Sequence, residues 1–156
     1  MWATFWPDVL VAVIGAVLTV AIAYVTFRCS VRRNELRALT GLIRDLHHRR
    51  AFSGAAIAVP GAVDTADYAR ANASVLAVKD DIRHARREVR DFESLQKPLA
   101  EMINACNLYL EDVVREPDSY AVLLVRLRDA LYAEIQKMSG KKHGVPALRP
   151  GDGAFR

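Results

Sequence analysis

His47-His48-Arg49-Arg50 and Asp80-Asp81-Ile82-Arg83-His84 hold the residues best placed by type to do chemistry. Paired imidazoles, or an imidazole beside a carboxylate, ligate divalent metals or relay protons. Spacing limits both sets. Adjacent residues on an α-helix point about 100° apart, so His47 and His48 cannot readily chelate one ion. They read as a solvated helix end, where basic side chains meet the partial negative charge of the last carbonyls. Asp81 and His84 stand at i,i+3, and Asp80 and His84 at i,i+4, so one helix face offers a carboxylate and an imidazole. A metal centre among helices needs such groups from several helices at once, projecting inward. Asp80 and Asp81 instead flank an apolar seam residue within a run of mixed charge, and Glu101 and Glu111 stand singly. A solvated face with local ion pairs is the expected role.

Other reaction chemistry finds little support. The two cysteines, Cys29 and Cys106, form no CxxC and no zinc-type Cys/His spacing. Both are expected to be free, shielded thiols; Cys106 falls on the core face of a helix, where a thiol is usually inert. Neither phosphate-cradling glycine pattern, GxxxxGK[ST] or GxGxxG, occurs, and there is no GxSxG elbow. Asn72-Ala73-Ser74 matches a glycosylation acceptor in form only, since it falls in an expected cytoplasmic helix. The expectation is a non-enzymatic chain with no cofactor and no metal.

The element that places the whole chain is N-terminal. Val9 to Phe27, nineteen residues, contains no charge and no proline. At about 1.5 Å per residue it nearly spans a hydrocarbon layer of ~30 Å. Trp2, Phe5 and Trp6 stand at one end and Tyr24 and Phe27 at the other, where aromatic rings suit the two membrane–water interfaces. Arg28, Arg32, Arg33 and Arg37 follow at once. That basic excess holds its own side in the cytoplasm, giving N-terminus out and C-terminal part in. Ala21-Ile22-Ala23 offers a cleavage pattern, but nothing before Val9 is basic and Asp8 is acidic, the reverse of a signal peptide. Ala12/Ala16 and Gly15/Thr19 are small-xxx-small pairs, a spacing common in membrane helices generally.

Past the anchor, apolar residues recur at helical spacing. Leu36, Leu39, Ile43 and Leu46 form one stripe, with Cys29 in the same register. Residues 51–63 carry Gly54, Pro60 and Gly61 and read as a loop, though Phe52, Ile57 and Val59 make it apolar enough to pack back or touch a bilayer. Asp64 or Thr65 caps a second helix whose seam is Tyr68, Ala71, Val75, Val78, Ile82, Ala85, Val89 and Phe92. Pro98 fits the first turn of a third helix, and Glu116-Pro117 closes it. Asp118 or Ser119 opens a fourth, lined by Tyr120, Leu124, Leu127, Leu131, Ile135 and Met138 and stopped by Gly140. No stretch alternates with period two for long enough to argue a sheet.

The expected fold is all-α. A transmembrane anchor (1–27) continues into a juxtamembrane helix (28–50). An antiparallel bundle of about four helices follows (51–139, helices near 65–93, 96–115 and 118–139, packing with 29–50). Glycine- and proline-rich residues 140–156 are expected to be a disordered tail. The seams are expected either to bury within one chain, the preferred reading, or to pair between chains as a coiled coil. A net charge of +4 and arginines balanced by acids along Arg83–Arg90 argue against nucleic acid. The expected partners are the lipid bilayer and a second copy or another protein. In layout alone the chain resembles small bacterial and prophage membrane proteins, which implies no activity. The function expected is that of a helical interaction or scaffold protein held at the inner membrane, with a regulatory or defence effector acting on the membrane as the alternative.

Overall fold

The structure, a computed structural model, describes residues 5–55, 57–89, 93–139 and 145–154, with side chains at all of these except 5–12, 32 and 93. The regular structure among the described residues is helical: α1 (Phe5–His48), α2 (Ala66–Glu88), α3 (Glu93–Arg115) and α4 (Tyr120–Met138). Short 3₁₀ turns lie at Arg50–Ser53, Ala62–Asp64 and Pro117–Ser119. The chain divides into two compact units, Met1–Asn34 and Glu35–Arg156.

In the first unit α1 is long and apolar enough to cross a membrane, and none of its apolar window is buried by the protein. Val13, Ile14, Val17, Leu18, Val20 and Ile22 all lie exposed on it. Two of its hydroxyls are satisfied within the helix. Thr19 Oγ1 donates to the Gly15 carbonyl and Thr26 Oγ1 to the Ile22 carbonyl, each at 2.8 Å. Hydroxyls paired to the carbonyl one turn back are tolerated in hydrocarbon.

The second unit is built on one apolar cluster. Leu39, Leu42, Ile43 and Leu46 of α1 join Val75, Val78 and Ile82 of α2, Leu99, Met102 and Cys106 of α3, and Leu127, Leu131 and Ile135 of α4. Each helix enters with residues three or four apart, so a single stripe faces the others. Thr65 begins α2: its hydroxyl accepts from the Tyr68 N–H at 3.3 Å and donates to the Ala62 carbonyl at 2.6 Å.

Two element boundaries differ from expectation. The seam periodicity predicts a second helix to residue 93, but α2 ends at Glu88. A side chain from the next helix meets that end. The Gln96 amide donates to the carbonyls of Arg86 (3.1 Å) and Val89, meeting acceptors that helix termini leave unpaired. Helix α3 is described from Glu93, and Pro98 lies inside it beyond the first turn. There the proline removes one helical hydrogen bond, a smaller loss near a helix start than in mid-helix.

The segment expected to be a disordered tail is folded over residues 145–154. Val145, Pro150, Gly151 and Gly153 are buried. The Gly151 N–H donates to the Leu46 carbonyl and the Gly153 N–H to the His47 carbonyl, both at 3.0 Å. The end of α1 thus receives donors from a strap about a hundred residues along the chain. Glycine makes the approach possible: a Cβ on Gly151, whose φ is +84°, would lie 2.6 Å from the Phe52 carbonyl carbon, and one on Gly153 would lie 2.5 Å from His47 Cδ2. Ser139 Oγ donates to the Val145 carbonyl at 2.7 Å and fixes the strap's other end.

Candidate functional site

The expected anchor residues fall where α1 leaves them open. Tyr24 and Phe27 are exposed, as are Arg28, Arg33 and Arg37. Trp2 lies outside the described residues, as do the side chains of Trp6 and Arg32. Cys29, expected to be shielded, is exposed on this helix.

The seam residues Val75, Val78, Ile82 and Val89 are fully buried within the second unit; Phe92 lies outside the described residues. An inward seam leaves α2 no apolar edge along these positions for a coiled-coil partner. Cys106 is buried with them, and burial pushes its thiol up to about 12. So little thiolate at neutral pH makes it a poor nucleophile. Burial likewise raises the Tyr109 phenol, whose hydroxyl donates to Asn72 Oδ1 at 3.1 Å.

The histidines and aspartates read for chemistry have structural partners instead. His47 is half-buried and His48 stays exposed at the end of α1, but both rings are also engaged by the strap. Their Nδ1 atoms meet the Arg149 and Gly153 carbonyls at 2.8 and 3.1 Å, and the two rings pack edge to face 5.1 Å apart. Asp81 takes the Arg49 guanidinium at 2.5 Å, Asp80 pairs with Arg83 at 3.2 Å, and His84 with Glu88 at 3.1 Å. Among the described residues no three His, Cys, Asp or Glu groups gather as metal ligands. Asp129 lies below the usual carboxylate range because the Arg149 guanidinium hydrogen-bonds it at 2.8 Å, which ties the strap to α4.

What the structure adds is a cleft of about 670 Å³ within the second unit, between α2 and α4 and roofed by residues 49–55 with Ile57 and Val59. Its apolar lining comes from Phe52 of the turn after α1, Ala71 of α2, and Leu124 and Val125 of α4; Arg49, Arg50, Arg70 and Asp67 supply its charge. The roof is held in place. Arg49 donates to the Ser74 carbonyl at 3.2 Å as well as to Asp81, and the Val59 N–H donates to the Asp118 carbonyl at 2.9 Å. Asp118 Oδ1 in turn accepts from the Ala62 N–H at 3.2 Å. Sequence reasoning reads Arg49 and Arg50 as a helix end and residues 51–63 as a loop. The one signal for a cleft is how apolar that loop is.

No protein-family model, curated protein or solved structure matches the chain.

Proposed function

We propose that this chain is a membrane-anchored interaction module that acts by binding rather than by catalysis. The first unit crosses the inner membrane with its N-terminus outside, and the second is a cytoplasmic antiparallel helical bundle. One observation carries the reading. An uncharged helical surface from Val13 to Phe27 lies wholly exposed, and exposed Arg28, Arg33 and Arg37 follow it on the same helix. A surface that apolar is costly in water and favourable in hydrocarbon, and the arginines favour the cytoplasmic side. The non-enzymatic half is supported by His47, His48, Asp80, Asp81, His84 and Cys106, which are engaged by the strap, in ion pairs or in the core.

Extraction of the full chain with its native lipids tests the proposal. It is expected to sediment with membranes, to resist release by alkaline carbonate, and to copurify with a saturating amount of a second copy or another protein. Release by carbonate ends the anchor. A monomer with no partner under crosslinking ends the interaction role.

A further inference from the structure

The cleft between α2 and α4 has a chemistry of its own, independent of how the chain is anchored. Its lining carries three guanidiniums, Arg49, Arg50 and Arg70, against one carboxylate, Asp67. They are not equivalent. Arg49 is committed: Asp81 lies 2.5 Å away and the guanidinium is three-quarters buried. Arg70 meets Asp67 at 3.4 Å with both side chains more than three-quarters exposed, a surface pair that contributes little and yields readily to a better acceptor. Arg50 is exposed, and among the described residues its guanidinium has neither an ion pair nor a hydrogen bond. Below these cations the surface is apolar, formed by Ala71, Leu124 and Val125. A volume of about 670 Å³ lies within the range of roughly 300–1,000 Å³ typical of small-molecule sites.

We propose that this cleft binds a small anionic amphiphile, with its apolar body on Leu124 and Val125 and its carboxylate or phosphate head on Arg50, assisted by Arg70. A planar guanidinium pairs with either head through two parallel hydrogen bonds. A neutral apolar ligand would leave Arg50 unanswered, and an inorganic anion would leave the floor wet. The anion needs a hydrophobic body attached, and the body needs the anion. A free metabolite and a lipid headgroup with part of its chain both offer that combination.

The test uses the full chain in nanodiscs of zwitterionic lipid, titrated with 2-naphthoate against empty nanodiscs. Saturable one-to-one binding is expected. Arg50→Gln should weaken it at least about tenfold, the loss of one charge-assisted pair, and Arg50→Lys should restore part of it. Ala121→Phe, which places a ring in the cleft, should abolish it, while an unchanged melting midpoint shows that each variant is folded. Uncharged 2-naphthalenemethanol should bind at least about tenfold more weakly than the acid. Phosphatidylglycerol in the disc identifies the source: displacement of naphthoate points to a lipid head, and undiminished binding points to a soluble acid. Non-saturable uptake, or saturable binding indifferent to Arg50→Gln and to the charge on the probe, overturns the proposal.

Discussion

Ile82 is the side chain on which the second unit can be most sharply tested. It is fully buried in the common cluster, so Ile82→Asp places an unpaired charge there. That costs several kcal/mol, against a typical domain stability of about 5–15 kcal/mol. Cooperative thermal unfolding of the second unit, followed by circular dichroism of the full chain in mild detergent, should be lost. Ala73→Asp, on the exposed side of the same helix, should cost about 1 kcal/mol or less, the difference in helix propensity. Equal losses from both variants would show that the seam is not the core. Arg86 would make a poorer control, because its Nε donates to Gln96 Oε1 at 3.0 Å, beside the contacts that end α2. At this scale the sequence was legible where one periodicity decides, as at Val75, Val78 and Ile82. It was not legible at His47 and His48. Their acceptors lie 102 and 105 residues away, and no local pattern announces a partner that distant.

Among the elements, apolar spacing revealed each helix, while its ends depended on contacts from elsewhere. The seam runs on past Glu88, but α2 ends there and Gln96 meets the Arg86 carbonyl. The strap was missed for a related reason. Its glycines and prolines are the composition of disorder, yet the glycines allow a backbone-to-backbone approach at the end of α1. The cleft is harder still, being assembled from a turn, a loop and two helices that only the fold brings together. The strap yields a local prediction. Gly151→Ala forces φ of +84° on a residue with a Cβ and drives that Cβ into Phe52, and Gly153→Ala drives one into the His47 ring. Each should cost roughly 1–3 kcal/mol. Hydrogen exchange should quicken at the amides of residues 145–154, while the amides of α2 and α3 keep their protection. Unchanged exchange over 145–154 in both variants would show that the strap is not bound as described.

For the molecule as a whole, the division at Asn34 separates two kinds of stability. The first unit offers its apolar surface outward, and the second buries a common cluster while leaving a few apolar side chains such as Leu108 and Val114 exposed. Orientation is the prediction that belongs here. A reporter active only in the periplasm, fused after Arg156, should be silent. Neutralising Arg28, Arg32, Arg33 and Arg37 together should release part of the signal, since the arginine bias sets which side is retained. Full activity from the unmodified fusion would reverse the orientation.

The strap also bears on the order of events during synthesis. Residues 46–48 leave the ribosome about a hundred residues before the glycines that meet them. Through that interval the apolar span of α1 is already complete, yet its far end waits without these donors. A contact of such long sequence separation is slow to close, and its closing entropy is met only after the intervening helices have packed. Completion of this helix end therefore marks the moment when the rest of the second unit is in place. A nascent chain that stalls before residue 149 would hold a complete apolar helix and an open helix terminus, a state unlike that of the mature protein.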